Sequence, residues 1–281
     1  MNSTRTTLRA GFRRGMIELR QAFTGALLVG NLFWPVATLA AVFLFRNMSF
    51  GANGFNLGTF VLPGALGMFA ALGMILTLQQ LAADREDGTL LRAKATPNGI
   101  RGYTLGKLVQ VSATVLIYLA ILLIPGVFIV DGLGFDSIGS WLTFVWALLL
   151  GLVATQSIGV ILGSLVASPR SVGYISLPVM GLIGISGIFY PITALAGWLQ
   201  WIAQVFPIYW LGLGMRSALL PGSAASAEIG GYWRLQETAA VLGVWAVAGL
   251  ALAPIVLSRM ARRESGSSLA EHREKALQRV G

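Results

Sequence analysis

The chain has 281 residues, of which 56% are hydrophobic and only 11% charged. A soluble domain of this length carries roughly 25% charged residues, so the composition points to an integral membrane protein. There is no cysteine, and the single His272 lies in a polar tail, which leaves no basis for a disulfide framework, a thiolate site or a His-based metal centre.

The first apolar run starts near Ala26, behind a basic segment. No A-x-A-like cleavage site follows it, so the N-terminus is expected to be retained. Within residues 5–24, Leu8, Phe12, Met16, Leu19 and Phe23 fall on one helical face. Arg9, Arg13 and Arg20 flank that face, and Arg14 and Glu18 lie opposite it. This pattern predicts an amphipathic helix in the membrane plane with its arginines reaching toward anionic headgroups. A helix packed on the protein's own loops is the alternative.

About 20 apolar residues cross the hydrocarbon core as a helix. By that measure 26–45, 59–82, 105–130, 138–166, 172–190 and 235–258 are predicted spans. Between the second and third spans stands the densest charge cluster, DREDGTLLRAKATP, residues 84–97. Gly88 interrupts the helix there, Asp87 or Thr89 can cap a short new one, and Pro97 ends it. A short helix of mixed charge with a few apolar residues suits a groove on a soluble partner. On the fourth span Gly151, Thr155, Gly159, Gly163 and Ala167 recur every four residues, a strip that permits close helix approach. The partner of that strip, in this chain or another, is left open. After the fifth span, residues 191–210 are too short to cross and are bracketed by Pro191 and Pro207. Trp198, Trp201, Tyr209 and Trp210 suit the membrane interface. A re-entrant hairpin fits this stretch, with an interfacial aromatic loop as the alternative. Residues 259–281 are expected to be a solvated tail.

Six spans place both termini on one side. All but three of the 20 Lys and Arg fall on that side, the exceptions being Arg46, Arg216 and Arg234. The bias predicts cytoplasmic termini in the cell's inner (plasma) membrane, and it explains the net charge of +9 without nucleic acid. No chain of acidic or His residues lies at membrane depth, which weighs against ion coupling and intramembrane hydrolysis. The nearest approach to a phosphate-binding loop, GYTLGKL at 102–108, lacks the first Gly (Arg101) and the hydroxyl (Leu108). A separate subunit would therefore supply ATP hydrolysis.

GTLLRAKATP, preceded by DRED, resembles the E-x-G-T-L-x-x-L-x-x-T-P signature after the second span of ABC-2 type permeases, the membrane subunits of type-2 ABC exporters. Glu86, Gly88, Thr89, Leu90, Thr96 and Pro97 match. Ala93 stands where Leu is common, which softens one apolar contact. The N-terminal helix resembles the family's interface helix, and residues 187–207, with Pro191, Trp198 and Pro207, resemble its re-entrant motif. The resemblance implies an all-α polytopic fold with six transmembrane helices and no enzyme activity of its own. It also implies that Asp84, Arg85, Glu86, Asp87, Gly88, Thr89, Leu90, Leu91, Arg92, Thr96 and Pro97 contact the ATP-binding subunit. No cofactor is expected on this chain, with ATP and Mg on that partner. Two ATP-binding subunits are implied, with a second permease copy as homodimer or heterodimer.

Within the family the chain looks most similar to drug-export permeases of the daunorubicin-resistance kind. Polysaccharide or teichoic-acid export permeases are an alternative, and a scaffold, a lipid enzyme or an ATP-independent channel are more distant ones. Cargo is expected to be apolar or amphiphilic, because aromatic and Met side chains suit adaptable apolar binding. Candidate pathway residues are Asn31, Phe33 and Trp34 on the first span, Met68 and Met74 on the second, and Ile183 and Phe189 on the fifth. Ordinary helix packing or lipid contact is the alternative for each.

Overall fold

The computed structural model describes residues 2–50, 55–96, 99–135, 137–166 and 171–263. Pro97, Ala167, Arg170 and the tail from residue 264 lie outside the described residues. The helices are α1 (Asn2–Ala22), α2 (Gly25–Phe45), α3 (Leu57–Glu86), α4 (Thr89–Lys94), α5 (Gly99–Ile129), α6 (Ile138–Leu165), α7 (Val172–Ile185), α8 (Gly197–Val205), α9 (Pro207–Leu219) and α10 (Leu235–Arg263). Two residues after α2 pair with two before α3 as an antiparallel ribbon, β1 (Ser49–Phe50) and β2 (Phe55–Asn56).

Length and composition make α2, α3, α5, α6 and α10 able to cross a membrane. Proline interrupts four of them, at Pro35, Pro63, Pro125 and Pro254. Such prolines are tolerated in spanning helices because neighbours satisfy the freed backbone groups. The sixth apolar segment is a shorter helix than the sequence predicts. It runs over 172–185 rather than 172–190, because Ser186 and Gly187 form a turn with Gly187 at φ +65°.

α3 is central and α2 peripheral: 78% of the apolar stretch of α3 is buried, against 11% for α2. α3 packs on α5, α6 and α9, and α6 packs on α10. The small-residue strip on α6 meets partners in the same chain. A Cβ on Gly151 would fall 2.3 Å from Leu211 of α9, and one on Gly159 would fall 2.4 Å from the Met74 carbonyl of α3. The Thr155 hydroxyl bonds the Gly151 carbonyl of its own helix at 2.8 Å. The missing side chains let backbones approach, which is how apolar helices associate where lipid is as greasy as Leu.

α1 packs along the start of α5 by the same device. Cβ atoms on Gly11 and Gly15 would come within 2.7 and 2.5 Å of the Gly102 and Gly106 carbonyls. The predicted apolar stripe of α1 is thereby divided. Leu19 is buried, while Phe12, Met16 and Ile17 stay exposed beside it. Arg14 and Glu18, expected on the face opposite the stripe, turn toward Tyr103 and Lys107 of α5 instead.

Candidate coupling site

The α4 segment is a short helix rooted in the end of the bundle. Gly88 sets its start with φ +76°, a left-handed conformation costly for other residues. The Asp87 carboxylate accepts the Thr89 N–H at 2.8 Å, satisfying one of the free donors of the first turn. At the other end, Thr96 donates its N–H and its hydroxyl to the Ala93 carbonyl at 3.2 and 2.9 Å.

Leu90 and Ala93 form the inner face of α4. They pack among Leu81, Tyr103, Val160, Ala253, Leu257 and Met260, joining the ends of α3, α5, α6 and α10. Burying Leu90 completely is worth roughly 1.5–3 kcal/mol. The small Ala93, where the family pattern favours Leu, is itself buried here. The outer face carries Glu86, Asp87, Arg92, Lys94 and Thr96, all exposed, with Leu91 and Thr89 half-covered. Arg92 bonds the Thr89 hydroxyl at 2.8 Å, so it braces the outer face as well as charging it.

Besides Leu90, two more of the residues assigned to partner contact, Asp84 and Arg85, face inward. Asp84 accepts from Lys107 at 2.7 Å and from the Tyr103 hydroxyl at 2.8 Å. Arg85 donates to the Val166 carbonyl at the end of α6. They turn inward because a Lys ammonium and an orphan helix-end carbonyl lie across from them in space, though far away in sequence.

Lys107 is the hub of this interior network. It is 8% exposed and also bonds Glu18 of α1 at 2.7 Å and Gln110 at 3.4 Å. Glu18 accepts a further bond from Arg14 at 2.8 Å, and the Arg14 guanidinium lies 5.2 Å from the centre of the Tyr103 ring. Burial pushes the Glu18 carboxyl up, but the bonds and charges of Lys107 and Arg14 outweigh it and hold the group below its ordinary value. Three elements, α1, α3 and α5, are thus tied by one ammonium near the root of α4. In the sequence Lys107 reads only as a basic residue at a span start; its one local clue is a cation embedded in TLGKLVQV.

At the opposite end, the predicted hairpin exists but extends farther than expected. α8 is one limb, with Trp198 and Trp201 exposed at 65% and 76%. The second limb is α9, which Pro207 opens at its first position and which continues to Leu219 rather than ending at residue 210. Every residue of α9 except Ser217 is buried. At about 1.5 Å per residue, its 13 residues make a helix of roughly 20 Å, too short to cross alone. Arg216 pairs with Glu228 at 2.7 Å, both side chains fully buried, and donates to the Gly187 carbonyl at 2.8 Å. Pro191 precedes a single 3-10 turn, Ile192–Ala194, on the way to α8. Arg234 holds the base of the hairpin through the Gln204 side chain at 2.8 Å and the Trp210 ring at 4.7 Å.

The candidate pathway residues do not converge. Asn31 donates to the Ala22 carbonyl at 2.7 Å and accepts from the Tyr118 hydroxyl at 3.1 Å, fastening the α1–α2 corner to α5. Phe33 and Trp34 stack edge to face on the outside of α2. Met68 is partly buried against the core, Met74 and Ile183 lie within it, and Phe189 sits half-exposed after α7. Of these, only Met74 lines the apolar crevice of about 420 Å³ between α6, α7 and α10, beside Ile158, Leu162, Tyr174, Pro178 and Trp245. The sequence offers no periodicity that would identify this crevice, because its walls come from separate helices.

A bundle of apolar helices with a short polar helix rooted at one end and a hairpin at the other whose second limb, α9, is buried is a polytopic membrane protein. A family model described as ABC-2 family transporter protein matches residues 24–255, and the chain belongs to that family. It is therefore a membrane permease subunit of an ABC transporter, a type that works with an ABC ATP-binding subunit. No curated protein matches the chain.

Proposed function

We propose that this permease is the membrane half of an ATP-driven exporter for an apolar or amphiphilic cargo of the drug, antibiotic or lipid-like class. Two copies, or one copy and a sister permease, work with two ATP-binding subunits that carry the ATP and Mg. Both termini and α4 face the cytoplasm of the inner membrane, as the distribution of Lys and Arg favours. The observation that carries the reading is the construction of α4. Leu90 and Ala93 root it in the bundle, while Glu86, Arg92 and Lys94 present charge outward. Push on the outer face is transmitted to α3 and α5 through that root, and to α1 through Lys107. The crevice that includes Met74 supports an apolar cargo.

The chain has no native cysteine, so a single Arg92→Cys substitution gives a clean crosslinking probe. Purified from its own membrane in mild detergent, the variant should bring down an ATPase and crosslink to it through residue 92. A chain that purifies without an ATPase, and forms no crosslink, overturns the proposal.

A further inference from the structure

A second site lies on the flank of α4, away from the Lys107 network. A cavity of about 690 Å³ opens between the end of α4, the first turns of α5 and the end of α10. Its size falls within the range of about 300–1,000 Å³ that takes small ligands. Its chemistry is divided along its length. Lys94, Arg101 and Arg262 stand at one end, all exposed, and the Lys94 ammonium bonds the Arg262 carbonyl at 3.4 Å. Leu105, Leu108 and Ile255 line the other end. Among the described residues lining it there is no carboxylate. The opening of α5 contributes the positive end of its helix dipole to the same wall.

The depth of the cavity matches this division. α10 is apolar from Leu235 to Met260, so Arg262 lies just beyond the apolar stretch and Ile255 within it. A wall that is cationic at headgroup depth and apolar one to two turns deeper is complementary to an anionic amphiphile. A soluble anion would leave the apolar half unused, and an acidic peptide would have to enter hydrocarbon. We propose that this groove binds one anionic phospholipid, with its phosphate between Arg101 and Arg262 and an acyl chain along Leu108 and Ile255. The lipid would brace the junction of α4 with α10, so the site goes beyond the reading of α4 as a docking helix. Lipid binding does not require the orientation or the partner proposed above.

Native mass spectrometry of the delipidated full-length protein tests this, with phosphatidylglycerol and phosphatidylcholine of identical acyl chains titrated separately. Neutralising Arg101 and Arg262 together (Arg101→Gln with Arg262→Gln) should cut phosphatidylglycerol affinity on the order of tenfold, to the phosphatidylcholine level. The control, Arg46→Gln with Arg259→Gln, neither of which lines the groove, should keep the preference of the unaltered protein. The proposal is overturned if the unaltered protein shows no preference, if the groove variant keeps it, or if the two variants lose it equally. The last outcome would mean diffuse surface charge rather than a site. Because no ATPase enters this measurement, its failure is separate from failure of the exporter reading.

Discussion

Arg216 and Lys107 show what single charges do in this protein. Each is almost wholly withdrawn from water, and each is matched by carboxylates 2.7 Å away. Removing one partner of such a pair leaves a buried charge unsatisfied, at a cost of roughly 3–5 kcal/mol, whereas replacing both with apolar groups is often near neutral. Arg216→Met should therefore lower the thermal unfolding midpoint in detergent clearly, and Arg216→Met with Glu228→Leu should recover much of the loss. Equal midpoints for the single and double variants would show that the pair does not hold the hairpin. Glu18 supplies a pH prediction. Its folded value lies below the ordinary carboxylate value near 4.5, so the stabilisation is present above that pH. It is lost as pH falls through the lower folded value, when the carboxylate takes a proton. Protection of the α1 amides from hydrogen exchange should hold from neutrality to about pH 5, and Glu18→Gln should reduce it across that range. These roles were hidden in sequence because Glu18 and Lys107 stand 89 positions apart.

At the scale of elements, α1 depends on close backbone contact with α5, and α4 on its buried Leu90 and Ala93. Gly15→Val would thrust a branched side chain at the Gly106 carbonyl, which a Cβ alone would meet at 2.5 Å. α1 should then part from α5. A crosslink between cysteines introduced at Thr7 and Gly102, where a Cβ built at Gly102 lies 3.6 Å from the Thr7 side chain, should fade in that background. An unchanged crosslink would mean that α1 adjusts in place. For α4, Glu86→Lys is the cleaner probe of coupling, because Glu86 is exposed. Gly88→Pro would also destroy the φ +76° turn, since proline is held near −65°. Glu86→Lys should leave expression and melting unchanged while lowering transport-linked ATPase activity. Loss of expression would make the residue structural. Much of α4 was legible in advance, because Gly88 and Asp87 are local signals that need no knowledge of the fold. Its inner face was less so, since only the converging ends of α3, α5, α6 and α10 decide that Leu90 is buried.

Across the whole bundle, coverage is uneven. α2 and α7 carry exposed Leu27, Phe33, Trp34, Tyr174, Leu177 and Met180, while α3 and α9 are enclosed. The homodimer form of the proposed function requires one of these faces to be covered, and the aromatic pair Phe33 and Trp34 makes α2 the first to test. Trp34→Cys should then yield a disulfide-linked dimer on a non-reducing gel of native membranes. A monomer, with the introduced thiol still accessible to a lipid-soluble reagent, would assign that face to lipid.

Local sequence was enough to establish the membrane class, the five long apolar helices, the start of α4 and the family pattern around Gly88. These follow from local quantities: an apolar run of sufficient length, a capping residue, a helix breaker. Which charges lie at the surface and which are structural was settled by packing, since Asp84 and Glu86 sit in one cluster yet face opposite ways. Packing also made PIYWLGLGMRSAL, short and interrupted by Arg216, a buried helix. The reason is that a charge becomes tolerable in an apolar interior only through its partner. For Arg216 that partner is Glu228, which lies beyond the end of the helix and is brought back by the fold.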